Sequence, residues 1–216
     1  MADNISIKDG SGADVTVASD DISSVQYPRH KLVWGADGAV NDTSATAPLP
    51  AIVTGYLENP TSTLTRPADA NIYAALDMIA NNTTGASVTV PSLTVARVAT
   101  GSLIIRRVRL VTNHTTSFDA VVLRVRLWTA APTYTNGDNA AYLLAGGAAN
   151  FLGQFDITMV QHADGAVGVG VPSVGGEVGI KLASGSSVYW DLQVTSGTPT
   201  PASGKTFILT AETYQN

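Results

Sequence analysis

The sequence predicts an all-β protein, an antiparallel β-sandwich in jelly-roll order preceded by an extended N-terminal arm. Three observations predict it. From Ala86 onward, eight short runs rich in Val, Ile, Thr, Tyr and Trp follow one another, most of them alternating apolar with polar residues. Clusters of Gly, Asn, Pro and Ser separate the runs, and no helical pattern stands between them. Only 13% of residues are charged, roughly half the usual share, and Thr, Ser, Ala, Gly and Asn fill the difference, as in turn-rich β proteins.

The elements are read in chain order. From Met1 to Leu64 the apolar residues come in short bursts: Ile5 and Ile7, Val15 and Val17, then Leu32-Val33-Trp34. Turn signals separate them at Asp9-Gly10, Pro28, Asp37-Gly38, Pro48 and Pro50. Each burst is strand-like but too short to shelter itself, since a strand pair alone in water is marginal. Residues 1–64 therefore read as an arm that lies on something else, and residues 65–216 as the sandwich domain. Between Arg66 and Thr84, Ile72, Ala75, Leu76 and Ile79 fit a helical face, while Tyr73, Ala75, Asp77 and Ile79 alternate like a strand. Both readings stand for 70–80. The eight strand runs are 87–98, 102–112, 120–129, 153–161, 166–171, 177–183, 187–195 and 205–213.

Composition narrows the function. The chain has no Cys, which excludes disulfides, thiolate metal sites and cysteine nucleophiles, and suits folding in a reducing cytosol. The formal net charge of −5 argues against nucleic acid as a partner. No basic, apolar leader follows Met1 and no apolar run approaches a bilayer span, so neither secretion nor a membrane is expected.

The search for chemistry finds little. His30, His114 and His162 have no partners at metal-ligand spacing and read as surface residues. There is no GxSxG elbow. Gly165–Gly170 reads as a Gly-rich strand, because it lacks the phosphate-loop pattern. Asp20-Asp21 reads as a turn or cap, and Asn136-Gly137-Asp138-Asn139 as a tight turn. No catalytic, metal or cofactor site is assigned. One charged constellation stands out: Arg107 and Arg109 in one run, Arg124 and Arg126 in the next. With a period of two each pair shares a face, while Ile104, Val108 and Leu110, and likewise Leu123, Val125 and Leu127, point the other way. If the two runs are sheet neighbours, the four Arg form one basic face, either solvated and balanced by local Asp or Glu or suited to docking an acidic protein surface. In the arm, Tyr27, Arg29, Lys31, Leu32, Val33 and Trp34 are the candidate anchors, since aromatics and Arg dominate interface hot spots.

Three stretches carry a resemblance: TRPADANIYAALDMIANNTTGAS (Thr65 to Ser87), LWTAAPTYTNGDNAAYLL (Leu127 to Leu144) with the following Phe151-Leu152-Gly153, and DDISSVQYPRHKLVWGADG (Asp20 to Gly38). They resemble bacteriophage virion structural proteins. The chain departs from that pattern at Leu76, where the pattern has Gly before the Asp. The resemblance implies a head decoration protein on the outer capsid surface, made in the host cytoplasm. Its partners would be the major capsid protein and further copies of itself, as a trimer. A tail, neck or fibre-attachment component is the alternative. A carbohydrate-binding sandwich, with Trp128, Tyr189 and Trp190 as a stacking platform, is another.

Overall fold

The computed structural model describes residues 5–17, 19–22, 25–28, 33–34, 41–42, 56–173 and 176–215. It divides into two units, Met1–Ile52 and Val53–Asn216.

In the first unit the bursts pair with one another as hairpins. Ile5–Lys8 pairs with Asp14–Val17, setting Ile5 opposite Val17 and Ile7 opposite Val15. Asp9 closes the turn: its carboxylate accepts the Ser11 N–H at 2.8 Å, the Ser11 hydroxyl at 2.7 Å and the Ala13 N–H at 3.0 Å. Those bonds, the Ser11 hydroxyl first, hold the Asp9 carboxyl below the usual aspartate range. Lys8 and Asp14 flank the turn at 2.8 Å. Ser19–Ile22 pairs with Val25–Pro28, and Val33–Trp34 with Asn41–Asp42.

The second unit is an antiparallel sandwich of two sheets. Its principal strands are β1 Thr61–Thr65, β2 Ser92–Thr94, β3 Ser102–Thr112, β4 Val122–Trp128, β5 Phe151–Thr158, β6 Gly165–Gly170, β7 Ser187–Ser196 and β8 Thr206–Gln215. The larger sheet runs β1-β8-β3-β6, with Val160–His162 outside β6. Two short strands continue its lanes: Tyr56–Glu58 pairs with β8 beyond β1, and Val178–Lys181 pairs with β3 beyond β6. The smaller sheet runs β2-β7-β4-β5, and Met78–Ile79 also pairs with β7. Every connection between principal strands crosses from one sheet to the other except β4 to β5, which stays in the smaller sheet.

The alternation read from the sequence builds the core. Val108 and Leu110 of β3, Leu123, Val125 and Leu127 of β4, Val188, Trp190, Leu192 and Val194 of β7, and Phe207 and Leu209 of β8 are all buried between the sheets. Each such side chain contributes about 1.5–3 kcal/mol on burial. Gly168 and Gly170 face the same interior, where a Cβ would stand 2.5 Å and 2.7 Å from Ile157 of β5. Glycine at alternate positions thus lets β6 close against β5, and Gly165–Gly170 is the strand expected.

Four readings are corrected. The sandwich begins before residue 65: Tyr56–Glu58 and β1 are sheet lanes, so the arm does not extend to 64. In β1, TSTLT offers one apolar residue, and its pairing partner β8 is the most distant strand in the sequence. Residues 70–80 hold neither a helix nor a full strand, only Met78–Ile79 with turns before it. The run 177–183 is not a separate lane but the continuation of β6 along β3. Strict alternation fails in β3, where a register shift between Ile105 and Arg107 leaves Ile104 38% exposed on the same face as Arg107 and Arg109.

Leu76 has φ +75°, the left-handed region that penalises side chains with a Cβ. This is the position where the sequence departs from Gly. Its backbone is held there by the Leu76 N–H donating to Val194 O at 2.7 Å and by Leu76 O accepting from the Tyr142 N–H at 2.9 Å. The side chain is 59% exposed, so it offsets little of the strain. Leu76→Gly is expected to raise stability by about 1 kcal/mol in urea unfolding; no change or a loss would show the turn to be unstrained.

Candidate functional site

The outer faces of the two sheets differ. That of the smaller sheet is roofed by the chain's own loops. A second apolar cluster forms there from Met78, Ala80, Val90 and Tyr134, with Val88, Tyr142, Leu144 and Tyr189 packed on it. At its base lies Asp191 of β7, 3% exposed. One carboxylate oxygen accepts from Trp128 Nε1 at 2.7 Å, the Tyr134 hydroxyl at 2.7 Å and the Tyr142 hydroxyl at 2.9 Å. The other faces the Arg126 guanidinium at 3.4 Å. Arg126 lies over the Tyr142 ring, 4.0 Å from its centroid, and donates to Gln193 Oε1. Burial pushes the Asp191 carboxyl up, while Arg126 and the ring donors pull it back. Tyr134 and Tyr142 are driven well above the ordinary phenol range, first by burial and then by the Asp191 charge, so both remain donors.

A second buried network joins residues 66–80 to residues 136–140. Arg66 pairs with Asp69 at 2.8 Å and with Asp138 at 3.1 Å. The Tyr73 hydroxyl donates to Asp138 at 2.7 Å and accepts from Arg66 Nε at 2.9 Å, and the Ala80 N–H also donates to Asp138, at 2.8 Å. Burial raises the Asp138 carboxyl, against the pull of these donors. Asp138 is therefore no simple turn residue: it buries its charge to tie residues 66–80 to 136–140. His114, read as a surface residue, is 1% exposed. Its ring lies 4.7 Å from Phe118 and 5.5 Å from Phe207, and its Nδ1 accepts the Ala202 N–H at 3.2 Å. Nε2, left to carry the proton, has no partner among the described residues. Burial first, then the nearby charges of Arg66 and Lys205, lowers His114 to about 4. His162 is exposed, as expected.

The outer face of the larger sheet has no such roof among the described residues. Register aligns Thr63, Ile208, Val111, Val167 and Val160 in one row across five adjacent strands. Next to it runs Thr61, Thr210, Arg109 and Val169, and beyond that Arg107 opposite Glu212. Leu57, Tyr214 and Ile104 form a further row. Leu57 is 50% exposed, Val160 52%, Val169 55% and Ile208 38%. Arg107 pairs with Glu212, and Arg106 with Glu177 at 2.7 Å. Arg109 forms no ion pair with the described residues.

The four predicted Arg do not share a face. The β3–β4 connection crosses between sheets, so Arg107 and Arg109 lie on the larger sheet and Arg124 and Arg126 on the smaller. Arg124 is held by Asp156 at 2.6 and 2.9 Å, which keeps Asp156 below the usual range, and Arg126 belongs to the Asp191 network. The proposed stacking platform is also lost: Trp128 and Trp190 are buried, with Trp190 Nε1 donating to Ser62 Oγ at 2.9 Å. Of the arm anchors, Tyr27, Val33 and Trp34 lie in strands. Their side chains, and all of Arg29, Lys31 and Leu32, fall outside the described residues, as does His30. Among the described residues no cluster of His, Asp or Glu could hold a metal ion, and no helix is long and apolar enough to cross a membrane.

Sequence reasoning missed the exposed apolar row, although a signal existed. Phe207-Ile208-Leu209 and Leu110-Val111 break alternation, so one residue of each run must face outward. In Gly165–Gly170 the valines alternate with core-facing glycines, which puts Val167 and Val169 outside.

Two outcomes are expected. Asp191→Ala strands Arg126 and three ring donors, and should cost about 3–5 kcal/mol, with early proteolytic cleavage within 129–150; a loss below about 1 kcal/mol would show that the network does not hold the roof. For His114 the folded state resists a proton that the unfolded chain accepts. Its contribution is complete above the ordinary His range and is lost as pH falls from about 6.5 to about 4, by up to about 3 kcal/mol. His114→Gln should lack this fall in stability across that window, and a pH slope equal to that of wild type would refute the assignment.

The chain matches no protein-family model and no curated protein.

Proposed function

We propose that this chain is a bacteriophage head decoration (cement) protein, a jelly roll that seats on the outer surface of the assembled shell and bridges neighbouring capsomers. The observation that carries the reading is the contrast between the two sheet faces. One is roofed by loops around buried Asp191, while the other presents apolar and Arg side chains to solvent. Contiguous exposed apolar surface marks a place where another protein sits. The order β1-β8-β3-β6 facing β2-β7-β4-β5 is that of two Greek keys wound into a jelly roll, which supports the fold assignment. The resemblance of Thr65–Ser87 and Leu127–Leu144 supplies the virion context.

The mechanism is linkage. A subunit that touches two capsid proteins binds the intact shell and not the broken one, and so stabilises the intact state. At a free concentration one hundred times Kd each occupied site contributes about 2.7 kcal/mol. Trimerisation would let three subunits engage together and multiply that affinity.

Adding the purified protein to shells that lack it should raise their rupture temperature in a saturable way. Occupancy should reach hundreds of copies per particle by quantitative mass spectrometry. A handful of copies per particle would instead identify a tail, neck or fibre-attachment component.

A further inference from the structure

We propose that the outer face of the larger sheet, unroofed among the described residues, is the docking surface, and that its partner presents an apolar strip flanked by a carboxylate that meets Arg109. This rests on the cement reading, with the shell protein as the partner.

The geometry supplies size, chemistry and a centre. Five strands at about 4.8 Å spacing make the row from Thr63 to Val160 roughly 19 Å wide, and the length of β3 gives a face of roughly 700 Å². That approaches the roughly 800 Å² per partner of a stable interface. Ile208, Val111, Val167 and Val160 are stiff, β-branched side chains, so ordering them on contact costs little rotamer entropy. A solvated sheet face has no need of four such residues in line.

Charge chooses the partner. Arg106, Arg107, Arg109 and Lys181 stand on this face against Glu177 and Glu212, with Asp164 at the rim. Four cations against three carboxylates make it a positive face on a chain whose formal net charge is −5. Two copies packed through it would oppose like charges, whereas a partner bearing acid would complete them. Glu212 already satisfies Arg107 and Glu177 already satisfies Arg106, so among the described residues Arg109 is the arginine of this face whose fork is open. It sits between two shallow depressions. One is lined by Leu57, Arg107, Val169 and Glu212, the other by Val111, His162, Val167 and Ile208. A central Arg ringed by apolar contacts is the arrangement that concentrates binding energy.

The test uses the full chain and DNA-free shells assembled from the major shell protein of the particle that carries it. Ile208→Glu, Val167→Glu and Arg109→Glu are compared with Ile72→Glu. Ile72, 62% exposed, lies in the loop before Met78–Ile79 and so controls for adding a charge at an exposed apolar site away from the face. Thermal melting checks that each variant folds. The three face variants are expected to weaken shell binding at least tenfold, and Ile72→Glu less than twofold. If wild type binds shells and the face variants bind within twofold of it, the docking face is wrong and the cement reading stands. If folded wild type binds no shells, the cement reading falls and takes this surface with it. If sedimentation shows a dimer that Ile208→Glu abolishes while shell binding persists, the occupant is a second copy and the acidic partner is refuted.

Discussion

The sandwich depends on one buried carboxylate. Asp191 stands in the middle of a central strand, on the side of the smaller sheet that would otherwise face water. Removing such a charge from solvent is expensive, and only a full set of donors makes it tolerable. The chain supplies that set from two places: Trp128 and Arg126 on the neighbouring strand, and Tyr134 and Tyr142 from the long β4–β5 connection. The connection must therefore fold down on the sheet for the carboxylate to be satisfied. Once down, it covers the apolar cluster around Met78 and Val90. Asp138 does the same for the segment after Arg66, through Tyr73 and the Ala80 N–H. Polar networks of this kind act as locators: they fix which loop lies where, and the hydrophobic contacts beneath then add stability.

This explains why the two faces of one sandwich have different characters. The roofed sheet carries its polar residues outward, where loops meet them. The other sheet carries valine, isoleucine and threonine outward, with no described loop above them. Its larger width follows from the fifth lane, Val160–His162 outside β6, while Tyr56–Glu58 and Val178–Lys181 lengthen the lanes of β1 and β6. The face is thus broad enough to accept another protein surface.

Most of the fold was legible in the sequence because alternation reports directly on burial. Val188, Trp190, Leu192 and Val194 alternate with residues of the opposite face, and all four are core. What could not be read was pairing at a distance. Nothing near Thr61–Thr65 announces that its partner is Thr206–Gln215, so a sheet lane passed for part of an arm. Nothing in two successive Arg-bearing runs says that the turn between them changes sheets. Local spacing likewise could not show that Phe207 closes over His114, or that Asp138 pairs with Arg66, because each contact joins segments remote in sequence. The departure at Leu76 was visible as a residue but not as a backbone state.

The position of β8 sets the order in which the molecule can be made. It lies between β1 and β3 in the middle of the larger sheet, although it follows the other seven principal strands in sequence. Until it leaves the ribosome, β1 and β3 each present an unpaired edge, and the hydrophobic interior lacks Phe207 and Leu209. The nascent chain must wait, sticky and half-assembled, for a strand that slots in like a keystone. Such long-range closure makes folding slow and concentrates the risk of aggregation in the interval before β8 docks.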